Sequence, residues 1–189
     1  GVVYKFGLAN TLVDRHGERF SIPVLKRFAD DINESSRTYD WAHMSEHFGL
    51  ADAFKAELVP HPKYAGETEL LVTALVYNDS VMPFQNGRNL VKAIEAGAVK
   101  NVSVKFKGWA RGEEIKINNE ARYVYTYYID PQDAYTLNTE LISIGFVDLG
   151  AQHGSNRKSA DADKLEFIKE NTKMTKSFSI EIGGVQHAI

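Results

Sequence analysis

Asn101-Val102-Ser103-Val104-Lys105-Phe106 alternates strictly, apolar at the even positions and polar at the odd ones. A period of two predicts a strand with one face in the core and one outside it. Val102, Val104 and Phe106 share the first face, and Asn101, Ser103 and Lys105 the second. Just upstream, Asn86-Gly87 opens a helix with Leu90, Val91 and Ile94 inward, and Gly97 supplies its stop. Glycine ends helices because it enters the left-handed conformation without a Cβ clash. A helix, a glycine and then a half-buried strand make a mixed fold the natural expectation.

Working outward, residues 2–12 are rich in β-formers and read as a strand, followed by a turn at Asp14-Arg15-His16-Gly17. Ser21 can cap a helix from Ile22, with Pro23 tolerated in its first turn. Leu25, Phe28, Ala29 and Ile32 then fall on one helical stripe. Residues 39–42 form a short strand. Residues 50–59 alternate, with Phe54, Ala56 and Leu58 assigned to one face, and the apolar run at 69–77 suggests a central strand. Asn118-Asn119 between two β-rich runs predicts a hairpin, since asparagine tolerates positive φ. Residues 141–149 are a further strand. Glycine, serine and charge make 150–163 a linker, 165–169 a short helix and 178–182 a last strand. The expected class is α+β, a barrel-like, mostly antiparallel sheet decorated with helices. The expected division is a domain over residues 1–152, then a linker and tail over 153–189.

The 189 residues suit one such domain, and 43% hydrophobic against 25% charged residues can fill a core. A net charge of −3 argues against a general nucleic-acid binder. The lack of cysteine excludes disulfides, thiolate catalysis and cysteine zinc sites. No apolar run approaches the length of a membrane span. The start, Gly1-Val2-Val3-Tyr4-Lys5-Phe6, lacks the basic head and long apolar run of a signal peptide, and its missing Met reads as processing or truncation.

Among six histidines, only His43 and His47 sit close together. Four residues apart on a helix they could share a metal, but the segment lacks a helical stripe and a third ligand has no place. No cofactor is expected. By itself His43 reads as a polar residue at a strand end. Beside a serine on a separate polar strand face it reads differently, because a serine hydroxyl needs an imidazole to take its proton and a third group to orient that imidazole. Ser143 reads as buried and bonded to backbone. Lys105 reads as a solvated lysine, with a serine–lysine pair as the lesser alternative.

Four segments, taken in order, give this chain a likeness. They are Val13-Asp14-Arg15-His16-Gly17-Glu18; Trp41-Ala42-His43 followed by Gly49; the run from Leu90 through Gly97 to Phe106; and Glu140-Leu141-Ile142-Ser143-Ile144. With these the chain resembles the prohead (capsid-maturation) proteases of tailed bacteriophages, which are similar in fold and chemistry to the herpesvirus assemblins. The likeness covers roughly residues 8–152. It implies a serine endopeptidase with Ser103 as nucleophile, His43 as base and Glu140 as the orienting group. His47 remains an alternative base, and Asp148 or His153 an alternative third member. Two departures stand out. Lys105 occupies a position where the family often has glycine, and Glu140 precedes Ser143 by three residues rather than two. The resemblance also implies capsid and scaffolding proteins as substrates and self-cleavage, with the 150–163 linker the natural place for it. It puts the enzyme inside the immature prohead in the host cytoplasm, with no membrane or specific nucleic-acid partner. A homo-oligomer is compatible with it. A non-catalytic virion domain on the same fold and a metal-dependent hydrolase using His43 and His47 are the competing readings.

Overall fold

A computed structural model describes residues 1–14, 17–83, 86–99, 101–130, 139–147, 168–169, 179–182 and 185–188. Strand β1 (Val2–Asn10) turns Tyr4, Phe6 and Leu8 into the core, while Val3 faces the other way onto Leu75. It pairs antiparallel with β5 (Thr68–Val76), which pairs on its far side with β4 (Ala51–Pro60). As the apolar run predicted, β5 is central. β4 then meets β3 (Arg37–Trp41), β3 runs parallel to β9 (Glu140–Val147), and β9 runs antiparallel to β6 (Asn101–Lys107). The result is a mixed, mostly antiparallel sheet curved into a half-barrel, with β6 at one end. β1 and β6 approach each other across the open seam without pairing.

Helix α1 (Ile22–Glu34) buries Val24, Leu25, Phe28, Ala29 and Ile32 against this sheet. Its start carries Pro23 as expected. Ser21 holds the N-cap position, but its hydroxyl makes no cap hydrogen bond; its backbone N–H donates to the Tyr127 carbonyl instead, at 3.0 Å. The short α2 (Leu90–Glu95) begins later than Asn86-Gly87 suggested, because Asn89 is the residue whose side chain accepts the Lys92 N–H. Gly97 ends it at φ 71°, in the left-handed region.

A second, smaller sheet holds β2 (Glu18–Phe20), β8 (Glu120–Tyr128) and β7 (Trp109–Ile117) in that order. The hairpin turns at Asn118 and Asn119, φ 51° and 64°, as the asparagine pair foretold. An aromatic knot fastens this sheet to the half-barrel. Phe20 packs edge-on against Phe28 of α1 and Phe106 of β6, and Phe106 packs edge-on against Tyr127.

Two readings change. Phe54 does not share a face with Ala56 and Leu58. A bulge between Ala53 and Lys55 turns it outward onto Val3 and Leu75, and keeps Ala53 and Ala56 both inside. An extra residue in one strand reverses the alternation beyond it. In the tail, Ile168–Lys169 is a short strand, β10, on the edge of β1, rather than part of a helix, because Tyr4 and Lys5 offer it an open ladder. Strands β11 (Ser179–Ile182) and β12 (Val185–Ala188) pair with each other. The 150–163 linker and residues 165–167 lie outside the described residues. No helix among the described residues is long and apolar enough to cross a membrane.

Asp31 fixes where β9 begins. Its carboxylate is 3% exposed, accepts the Leu141 N–H at 2.9 Å and lies 3.1 Å from the Arg27 guanidinium. Arg37 secures the same junction by donating to the Leu141 carbonyl at 2.7 Å. Burial raises the Asp31 pKa above its ordinary value, and the Leu141 N–H and the two arginines pull it back. Asp31→Ala would leave the buried Leu141 N–H without its acceptor and remove the carboxylate beside two partly exposed arginines. It is expected to cost about 1.5–3 kcal/mol of stability in urea melts. A cost below about 1 kcal/mol would show the contact to be incidental.

Candidate active site

Two ladders meet at Gly145. On one side β3 sets Asp40 opposite Gly145, and on the other β6 sets Ser103 opposite it. Directly opposed residues point to the same face of a sheet. The neighbours Tyr39, Trp41, Ile144, Phe146 and Val102 are all buried in the core. Asp40, Gly145 and Ser103 therefore form one row on the opposite face. Two strand spacings separate the ends of the row, about 10 Å between Cα atoms. That gap suits a carboxylate, an imidazole and a hydroxyl in succession.

The imidazole comes from the turn that follows β3. Ala42 and His43 both adopt left-handed backbone, φ 53° and 60°, which non-glycine residues rarely do. A tight turn with positive φ at both central positions reverses a strand on itself. Trp41 and Met44 close it, with the Met44 N–H on the Trp41 carbonyl at 2.9 Å. The Ala42 N–H donates to the Phe146 carbonyl at 2.8 Å, and the His43 N–H to Asp40 Oδ1 at 2.8 Å. These bonds offset the strain and hang the His43 ring over Gly145.

Gly145 makes room for it. A Cβ there would lie 3.0 Å from His43 Cε1, 3.1 Å from His43 Nδ1 and 2.9 Å from Asp40 Oδ1. Real Cβ atoms scarcely approach so closely, so the glycine is the condition for the ring to lie in the row. His43 Nδ1 stands 3.7 Å from Asp40 Oδ1, an ion-pair distance rather than a hydrogen bond. Both ring nitrogens are buried, although the side chain as a whole is 23% exposed. Asp40 is held from both sides: its Oδ1 takes the His43 amide and its Oδ2 the Ser143 hydroxyl at 2.9 Å.

Ser103 also borders a cleft in the seam between β6, β1 and β2. It encloses about 650 Å³, its open mouth included. Val104, Phe106, Phe20 and Leu8 give it apolar walls, and Glu18 and Arg19 stand among its polar ones. Tyr127 donates to Glu18 there. Burial, then Glu18, raises the phenol above its ordinary pKa, so it keeps its proton.

The structure thus sets Ser103 opposite Gly145 in the ladder and the His43 ring over that same glycine. It does not bring Glu140 there. Glu140 opposes Lys107 at the far end of β9, ion-paired to it at 3.3 Å and 43% exposed. Five residues of strand separate it from Gly145, about 16 Å. His47 lies on a separate 3-10 turn, Ser45–His47, beyond the Trp41–Met44 bridge. Asp148 and His153 lie outside the described residues. Ser143 is buried as expected, but its partner is Asp40 rather than backbone. Among the described residues no group of three His, Cys, Asp or Glu could hold a metal.

Sequence reasoning missed two members of the row, Asp40 and Gly145. Each left a signal. Asp40 is the lone polar residue between Tyr39 and Trp41, three before His43. Gly145 interrupts the apolar run Ile142 to Val147 apart from Ser143, and a lone glycine inside a strand marks a close approach.

No protein-family profile matches the chain, and neither a curated protein nor a solved structure is found similar to it.

Proposed function

We propose that the chain is a serine endopeptidase in which Ser103, His43 and Asp40 act together. The observation that carries this is the filling of the space over Gly145 by the His43 ring, between Asp40 and the strand position of Ser103. With Nδ1 turned to Asp40, the other ring nitrogen serves the hydroxyl. Ser103 Oγ attacks the scissile carbonyl carbon while its proton passes to His43. The imidazolium charge faces the Asp40 carboxylate. Collapse of the tetrahedral adduct breaks the C–N bond, and the amine leaves with the proton from His43. Water then repeats the sequence on the ester and frees Ser103. The 3.7 Å spacing from Nδ1 to Asp40 tightens when substrate is bound.

Ser143 completes the arrangement from behind by donating to Asp40 Oδ2, which keeps the carboxylate from turning away. The order of the four family-like segments supports the substrate class, phage scaffolding and capsid proteins within an immature head.

A fluorophosphonate probe tests the nucleophile without knowledge of the substrate. It forms a P–O bond to an activated serine and expels fluoride. Peptide mapping is expected to find about one label per chain on Ser103, absent from His43→Ala. Labelling spread evenly over many serines, or none on Ser103 in assembled heads, would favour a non-catalytic virion domain.

A further inference from the structure

The edge of the small sheet carries a second feature, unrelated to the Ser103 row. Among the described residues β7 has one ladder only, to β8. Along its other side, over nine residues, every second residue turns its backbone N–H and C=O outward. Natural edge strands are usually blunted by shortness, proline, a bulge or charged side chains, and of these β7 carries only the charges, of both signs, at Arg111, Glu113, Glu114 and Lys116. β7 has no proline, and its register against β8 runs from Trp109 to Ile117 without a shift. Large apolar side chains lie beside it in solvent: Trp109 is 52% exposed, Tyr123 62% and Tyr125 48%.

We propose that a second copy of this chain docks antiparallel on β7, with Gly112 of each copy facing the other across a twofold axis. The register follows from geometry and charge. A twofold that continues the sheet must leave every residue on its own face. The axis therefore passes through a residue, and position i opposes 2c − i, where c is the residue on the axis. An axis at Arg111, Glu113, Glu114 or Lys116 sets a charge directly against its own copy, which is destabilising. An axis at Ala110 overlaps only residues 109–111 of the strand. One at Ile115 overlaps 113–117.

The axis at Gly112 overlaps 109–115, the longest register free of like-charge opposition. It sets Arg111 against Glu113 twice and Trp109 against Ile115 twice. On the other face Tyr123 of each copy covers its own Gly112, where a Cβ would collide with the phenol ring. One continuous sheet then runs through both copies, from β2 of one to β2 of the other.

Sedimentation velocity on the full chain, from about 1 to 100 μM, tests this at the affinities expected of a small interface. The wild type is expected to dimerise within that range. Arg111→Glu opposes two Glu pairs, and Glu113→Arg opposes two Arg pairs, so each alone is expected to weaken self-association at least about tenfold. Mixed in equal amounts they are complementary in this register, and a heterodimer is expected. Thermal melts confirm that each variant is folded. A wild type that stays monomeric throughout, a single variant that dimerises as the wild type does, or a mixture that remains monomeric would each overturn the proposal.

Discussion

Ser103→Ala and His43→Ala should each reduce peptide-bond cleavage by about 10⁴–10⁶-fold. When nucleophile, base and orienting group act as one unit, losing either the serine or the histidine costs nearly as much as losing all three. The effect should fall on kcat, because the hydroxyl and the imidazole act in the chemical step rather than in holding the substrate. The assay is cleavage of the cognate scaffolding and capsid proteins on co-expression, followed by mass spectrometry. Wild-type processing by Ser103→Ala would remove the hydroxyl from the chemistry. A dead His47→Ala beside an active His43→Ala would move the base to the 3-10 turn.

The second large effect separates two acids. Asp40→Asn preserves shape, and its amide oxygen can still accept the His43 N–H, yet it removes the charge facing the imidazolium. In a working triad such a change costs about 10⁴-fold in kcat. Glu140→Gln breaks only an exposed pair with Lys107. Exposed pairs are worth at most about 1 kcal/mol, so kcat should change by less than about fivefold. The reverse pattern, Glu140→Gln inactive and Asp40→Asn active, would restore the acid that the family likeness implied. It would also require β9 to slide against β3 by several residues.

What could be read in advance follows from how local each signal is. The α1 stripe, the Asn118-Asn119 hairpin, the Gly97 stop and the alternation around Ser103 are all set within a few residues, and each reappears in the fold. The half-barrel order is also in keeping with the expected mostly antiparallel sheet. What escaped was register. Phe54 changed faces because one bulge in β4 shifts every later side chain. Glu140 was assigned to the site through the family likeness, but β9 carries it five residues beyond Gly145, past a second bulge whose extra residue, Ile142, lies in β9 itself, to the end of the strand that faces Lys107.

Asp40 escaped for a related reason. Its nearness to Ser103 depends on a parallel pairing of β3 with β9 that no nearby residue announces. Parallel neighbours are joined through long connections, here about a hundred residues of chain, so local pattern is silent about them. The strain at Ala42 and His43 was hidden too, since alanine gives no sign of positive φ. Strain of that kind persists where surrounding structure overdetermines it, as the Phe146, Asp40 and Trp41 hydrogen bonds do here.

The most direct trial of the whole arrangement adds a single methyl group, in Gly145→Ala. Gly145 lies in ordinary strand backbone, so alanine is tolerated by the chain itself, but its Cβ would crowd the His43 ring and Asp40 Oδ1. Contacts of 2.9–3.1 Å oblige the ring and the carboxylate to give by a few tenths of an ångström, and a full displacement of about 1 Å in a catalytic group can cost 10²-fold. Cleavage by Gly145→Ala is therefore expected to fall about threefold to tenfold while urea melts show a folded protein. Undiminished cleavage by a folded Gly145→Ala protein would mean that the His43 ring does its work somewhere other than over this glycine.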